Sequence, residues 1–435
     1  MDPLTLGALG FVVLIALVIL GVHIAFATAL TGFIGIAMMK GWAVASNVAG
    51  IIPHSTASNY LFSVLPMFIL IGFFAHASGM VSGAYRVARA WAGWLPGGLA
   101  ISTVFAAAGF GAVSGASQAT AAVFARVAIP ELLKLKYNPS LSAAAVAASG
   151  TLASLIPPSA ALVVYGAIVD QSIGRLLLAG FIPGVFSALL YALFLLIRFS
   201  ANPELGQPIR GISWGERGLS LLGVWPIILV MVMILGGMST GWTTPTEAGA
   251  TGAAIVFVYA LLRRKLSFSA LNDSLVETAK LTVMIFATFW GVFIFARFLA
   301  FTRLPTVIAE WIVALPFEPT MILAAILLCY AFLGMFMSAS GMMLLTLPVI
   351  FPAIVELGID PILFGILVVK MVEIGLVTPP VGLNVYVVGG IRRDIPVHQI
   401  FRAIWPFVTI DVLTVVLLIM FPGIVLFLPN FFMGA

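Results

Sequence analysis

Long unbroken apolar runs, rather than alternation, set the pattern of this chain. In the first half they cover 4–22, 24–40, 59–80, 140–168 and 174–199. In the second they cover 221–239, 245–262, 279–300, 362–390 and 398–428. About 20 apolar residues cross a bilayer as a helix, so the pattern predicts five crossings per half. Between the third and fourth crossing of each half lies more apolar sequence, 97–135 and 319–356. Small residues interrupt each stretch, in "GAVSGASQAT" (111–120) and "GMFMSASGM" (334–342). Each stretch predicts two short helices that enter and leave on one side, a re-entrant hairpin. Irregular backbone at that depth is tolerated only when buried in protein or lining a cavity.

Proline punctuates the pattern twice in the same way. Pro157-Pro158 lies in "SLIPPSAAL" and Pro379-Pro380 in "GLVTPPVGL", 222 residues apart. The same offset relates Pro130 to Pro352 and Pro139 to Pro361. An offset of 220 relates Thr31-Gly32 to Thr251-Gly252, Trp91 to Trp311 and Leu95-Pro96 to Leu315-Pro316. Matched Pro and Trp at a nearly constant offset exceed what shared membrane composition produces. The chain therefore reads as two repeats, 1–200 and 221–435, joined by a cytoplasmic linker at 201–220. Five crossings is an odd number, so the second repeat runs through the membrane upside down. Proline inside a helix removes a donor and breaks it. Inverted repeats with broken helices are the architecture of secondary transporters.

Composition agrees with a helical membrane protein. Of 435 residues, 62% are hydrophobic and 8% charged, against roughly 25% charged in soluble domains. Barrel strands would alternate over about 10 residues. The net charge of +5 is small, and no nucleic-acid partner is expected. The single Cys329 excludes an internal disulfide. Asp2 stands where a signal peptide carries a basic region, so the first run reads as a permanent helix. With the N-terminus outside, the inner loops carry Arg86, Arg89, Lys134, Lys136, Arg198, Arg210, Arg217, Arg263-Arg264-Lys265 and Arg392-Arg393. The outer loops keep Lys40, Arg175 and Arg303 beside Glu310, Glu318, Glu356 and Asp360. That bias obeys the positive-inside rule and places both termini in the periplasm. Counting each hairpin as one crossing would put later basic clusters outside. The stretch "AYRVARAWAGW" (84–94) is amphipathic and fits the inner interface.

The breaks expose chemistry. A helical N–H bonds the carbonyl four residues back. Pro157 and Pro158 thus free the carbonyls of Ala153 and Ser154, and Pro379 and Pro380 those of Gly375 and Leu376. Unwound carbonyls can coordinate Na⁺. Hydroxyls stand nearby on Thr151, Ser154 and Thr378. The hairpin tips form the second wall, with Ser114, Ser117 and Thr120 in one and Ser338 and Ser340 in the other. Small tip residues permit close approach. Helices restarting near Ser117, Ser159, Ser340 and Val381 aim positive ends inward, which favours an anionic substrate. For any single serine, helix packing is the competing role. Charged residues inside spans are more telling: Arg126, Glu247, Arg297, Lys370, Glu373 and Asp411. Lys370 and Glu373, three apart, could pair on one helix face. The four histidines show no metal spacing.

The chain resembles the large membrane (M, DctM-type) subunit of tripartite ATP-independent periplasmic (TRAP) transporters along essentially its whole length. The most specific segments are 114–184, from "SGASQATAAVFARVAIPELLKLKYNPSL" through "SLIPPSAALVVYGAIVD", and "GIDPILFGILVVKMVEIGLVTPPVGLNVYVV" (358–388). The resemblance implies an all-α integral membrane protein of the inverted-repeat elevator type, with two re-entrant hairpins and two broken helices. It implies the translocating subunit of a Na⁺-coupled importer in the bacterial inner membrane, and not an enzyme. A small membrane Q subunit and a periplasmic substrate-binding P protein would be its partners, and a small organic anion its substrate: a C4-dicarboxylate, sialic acid or similar carboxylate. It implies one Na⁺ site from Ser114, Gly115 and Ser117 with Ala153, Ile156 and Pro157. A second would use Gly334 and Ser338 with Gly375, Thr378 and Val381. Thr120, Ser159, Ser340 and Asn384 would contact substrate. Two departures stand out: Ala153 where the family usually has Gly, and Ala116 in a tip that usually carries another Ser. Three other readings are a standalone Na⁺/carboxylate symporter of the same superfamily, a membrane enzyme and a channel. The enzyme reading lacks any HExxH or GxSxG motif.

Overall fold

The structure, a computed structural model, describes residues 2–209 and 211–434. Arg210, counted above with the inner basic residues, lies outside the described residues. All regular structure among the described residues is helical. The first half opens with α1 (Pro3–Ile19), α2 (Ile24–Lys40), α3 (Trp42–Ala57), α4 (Val64–Ser78) and the short amphipathic α5 (Met80–Ala92). A hairpin follows, α6 (Gly98–Ser114) and α7 (Ser117–Lys134). A broken helix, α8 (Pro139–Thr151) and α9 (Ala160–Val169), and α10 (Ile173–Ala201) complete the half.

The second half begins with α11 (Trp214–Ser220), α12 (Trp225–Met231) and, after a π-turn, α13 (Gly237–Ser239). This segment bends by 49° between Gly223 and Trp225. Next come α14 (Pro245–Leu262), α15 (Phe268–Thr302) and α16 (Leu304–Val313). A second hairpin, α17 (Pro319–Gly334) and α18 (Ala339–Glu356), leads to a second broken helix, α19 (Pro361–Val377) and α20 (Leu383–Ile391). The last helices are α21 (Val397–Met420) and α22 (Gly423–Met433).

Local chemistry explains why the two broken helices begin alike. Asn138 Oδ1 accepts the Leu141 N–H at 3.0 Å, and Asp360 Oδ1 accepts those of Ile362 and Leu363 at 2.8 and 3.0 Å. Pro139 and Pro361 hold the first helical position. There the fixed φ of proline is helical already and its missing N–H costs nothing. The side-chain oxygens satisfy donors the helix leaves orphaned.

Several expectations need correction. A helix, α3, fills the gap left between the second and third runs; Asn47, Pro53, His54 and Ser55 dilute its apolar pattern. The run 279–300 is the inner part of a 35-residue helix whose start is polar, with Ser267 as its N-cap. The run 398–428 is two helices, parted before Pro422. Of the ten expected crossings, six helices are singly long and apolar enough to cross a membrane by length and composition, or seven with the bent segment. The shortfall has clear sources: α1 and α2 are 17 residues each, and the two broken helices are split into short pieces.

Two groups of helices emerge. In the first, α2 lies along α15, and α4 packs on both α14 and α15. The second gathers the hairpins and broken helices with α10 and α21. Its centre is α8 and α19: every residue of Leu141–Thr151 and of Ile362–Val377 is buried. The two halves interlock there. The α7 arm of one hairpin packs on α20, and the α18 arm of the other packs on α9.

Candidate functional site

Each hairpin tip sits on the break of its own half. The α6 helix ends on Gly115 in the left-handed region (φ 61°), Ala116 is extended, and α7 starts at Ser117. A Cβ on Gly111 would stand 2.7 Å from the Cα of Ala153, and one on Gly115 2.6 Å from the Pro158 oxygen. The Ala160 N–H reaches the Gly115 carbonyl at 3.4 Å. Only glycine allows this backbone-on-backbone contact. Ser114 Oγ and Thr120 Oγ1 bond each other at 2.8 Å and brace the tip, and Ser117 is buried against the break.

At the first break α8 tightens into a 3-10 turn, Leu152–Ser154, before the cis Pro157-Pro158 bond. The Ile156 N–H bonds Leu152 at 3.0 Å and Pro157 has none. The Ala153 carbonyl is therefore without a donor among the described residues, as the sequence implied. Ser154 differs. Its carbonyl accepts the Ser159 hydroxyl, which in turn accepts the Leu162 N–H at 3.2 Å and caps α9. Ser159 is wholly buried, its hydroxyl committed on both sides. Ile156 and Pro157 are buried, Ile156 against Gly184 of α10.

The second pair is built similarly. A Cβ on Gly375 would fall 2.5 Å from the Gly334 carbonyl carbon, so tip and break touch through two glycines. The Gly375 carbonyl is not free, because the Thr378 N–H takes it at 3.1 Å. Of the two carbonyls that Pro379 and Pro380 free, that of Leu376 is left open among the described residues. Thr378 Oγ1 donates to Ile374 at 2.6 Å, keeping its lone pairs. Ser338 caps α18 and is exposed; Ser340 and Val381 are half-buried. Asn384 is wholly buried beyond the break, and neither amide atom has a partner.

The buried charges depart from the sequence pattern. Lys370 does not pair with Glu373. Its ammonium bonds Asp411 at 2.5 Å and Ser187 at 3.1 Å, and Tyr191 donates to the other Asp411 oxygen at 2.5 Å. Asp411 is fully buried rather than near an interface. Glu373 is also buried; the Ser117 and Ser154 hydroxyls flank its carboxylate, and Oε2 has no partner. It links one half's broken helix to the other half's tip and break. Sequence could flag these residues as costly in a membrane interior, but not that the partners of Lys370 came from α10 and α21. Glu247 is no buried charge at all: it closes an exposed capping box with Thr244.

Among the described residues no three His, Cys, Asp or Glu cluster as a metal site. The tips and breaks instead offer hydroxyls and open carbonyls. These hard oxygen donors suit a hard cation such as Na⁺, and the orphaned Ala153 and Leu376 carbonyls fit that use.

Residues 11–424 match the sequence profile described as "Tripartite ATP-independent periplasmic transporter, DctM component". The chain is 35% identical, over 86% of its length and 87% of the relative's, to the C4-dicarboxylate TRAP transporter large permease protein DctM of Pseudomonas aeruginosa. It is 34% identical, over 96% and 97%, to the ectoine TRAP transporter large permease protein TeaC of Halomonas elongata. The crystal structure of the YdaH transporter of Alcanivorax borkumensis has a similar fold, with TM-score 0.64 at 15% identity over 88% and 89% of the chains.

Proposed function

The chain belongs to the DctM family of tripartite ATP-independent periplasmic transporters and is a multi-pass membrane protein; from that premise we propose that it is the translocating subunit of a Na⁺-driven importer of a small organic anion. The observation that carries the reading is the seating of two small-residue tips on two broken helices, each pair facing an unsatisfied carbonyl. Unpaired carbonyls in a membrane interior are costly unless something binds them. Sodium, when bound, supplies the positive charge that offsets them and draws anionic cargo.

In this reading Ala153 with Ser114, Gly115 and Ser117 holds the first cation. Leu376 and Thr378 with the Gly334 tip hold the second. Ile156, Pro157, Gly375, Val381 and Ser338 shape the walls. Glu373 brings a buried carboxyl group beside the first site. Asn384, Thr120, Ser340 and Ser159 stand around the tips, where the N-terminal ends of α7 and α18 favour an anion. The group of helices holding both hairpins is the moving, elevator part; α2, α4, α14 and α15 form the scaffold. A periplasmic binding protein delivers the anion and a small membrane subunit braces the scaffold, in the inner membrane with both termini periplasmic.

Relatives are named for dicarboxylate, sialic acid, ectoine and isethionate, so the proposed cargo class is a small organic acid. Reconstitution with its neighbouring small subunit and binding protein should give saturable, Na⁺-dependent uptake. Uptake indifferent to Na⁺ would remove the coupling, and full uptake without the binding protein would favour a standalone symporter.

A further inference from the structure

A cavity of about 290 Å³ opens between the scaffold and the first hairpin. Phe68, Gly72 and Phe73 of α4 and Leu281 of α15 wall one side. Ser114 and Gly115 of the tip stand at one end. Along the other side Ala116 at the tip and Ala119 and Ala122 of α7 form a stripe, and Arg126 continues it. Steps of three and four residues put these side chains on one helix face. His76 of α4 also lines the cavity and is an electrostatic neighbour of Arg126.

Arg126 is the anomaly in this space. No carboxylate lies within 4 Å of it among the described residues. The walls around it are mostly Phe, Ala, Leu and Gly. Arg126 is exposed to this open space, and a guanidinium at membrane depth without a protein counter-charge is a functional signal. Its position follows from the helix: ten residues beyond Ala116 is about 15 Å along the axis, and helical side chains lean back toward the N-terminus. That direction is the tip. The three alanines between leave room for a ligand. Arginine pairs with a carboxylate bidentately and stays charged.

We propose that Arg126, with His76 beside it, binds the carboxylate of the transported anion in this cavity, while the rest of the ligand lies over the alanine stripe toward Ser114 and Gly115. The assignment rests on the transport reading above and adds the residue that receives the charge. It places the ligand between the moving hairpin and the scaffold, with Arg126 travelling on the hairpin. A neutral compound of the same size would leave the guanidinium unpaired and is rejected.

The test uses the full chain in membrane vesicles with Cys329→Ser and a reporter thiol, Ala119→Cys. The anionic sulfonatoethyl methanethiosulfonate and its cationic trimethylammonium analogue are the probes. With Arg126 present the anionic reagent should react faster. Arg126→Gln should lower the anionic-to-cationic rate ratio by about ten-fold, as loss of one charge a few ångströms away requires, and Arg126→Lys should keep it. In proteoliposomes Arg126→Gln should lose at least ten-fold in uptake at limiting anion while the Na⁺ half-saturation stays put. An unchanged reagent ratio, or unchanged uptake, overturns the assignment. Arg126→Met replaces the Gln form if that form does not accumulate. Uptake without any Na⁺ dependence in the unaltered protein would sink the coupling reading instead, and the reagent ratio would still report on the cavity.

Discussion

Lys370 and Asp411 neutralise each other where neither meets solvent, so the pair should show its worth only when split. Removing one partner of a buried pair costs about 3–5 kcal/mol, whereas replacing both with apolar groups is often neutral. Lys370→Met should therefore lower the melting temperature in detergent sharply, and Lys370→Met with Asp411→Leu should recover most of the loss. Equal stability of the single variant and the parent would mean the ammonium has no carboxylate to lose. At the second break, Thr378→Ala should raise the Na⁺ half-saturation of uptake several-fold, and an unmoved half-saturation would count against Thr378 as a ligand. The sequence pointed to Thr378 and Ala153 because the carbonyls a proline frees lie in the turn just before it, which is local. It paired Lys370 with Glu373 because only neighbours three or four apart are visible along a helix. Asp411 is 41 residues away and Tyr191 is 179 away, and only folding brings them in.

Among the elements, the hairpins and broken helices were the most legible. Their limits, 97–135 and 319–356, agree closely with Gly98–Lys134 and Pro319–Glu356, since Gly, Ser and Pro interrupt helices by mechanism. Least legible was α3, whose mixed composition gives no clean apolar run. The carbonyl arithmetic at the breaks was half right. It missed that a serine hydroxyl or a nearby N–H can turn back and occupy a freed oxygen, as Ser159 and Thr378 do. The glycine contact of tip and break gives an element-scale test. Gly375→Ala must push the Gly334 backbone aside and should cost about 1–3 kcal/mol by overpacking. Gly390→Ala in α20, whose new Cβ meets nothing within 4 Å, should be neutral or slightly stabilising. Thermal unfolding of the two variants side by side decides it; equal melting points would show that the tip yields freely.

Across the molecule, the proposed movement requires the hairpin group to slide past the scaffold. Ile24 of α2 and Gly341 of α18 approach there: a Cβ on Gly341 would stand 3.4 Å from Ile24 Cδ1. With Ile24→Cys and Gly341→Cys in a Cys329→Ser background, a short bis-thiol reagent should stop uptake and reduction should restore it. Uptake that continues after complete cross-linking would rule out relative motion at this point. The interlocked halves carry one more consequence. Because α7 rests on α20 and α18 on α9, ordering one tip also orders the far side of the other break. Two sites that share an ordering cost are linked, and linkage is reciprocal: whatever factor the first occupant adds to the second's affinity, the second returns to the first. Filling should then be cooperative, with a Hill coefficient above one for Na⁺. Around half-saturation the half-loaded protein is then depleted relative to independent filling, which guards the gradient against leak.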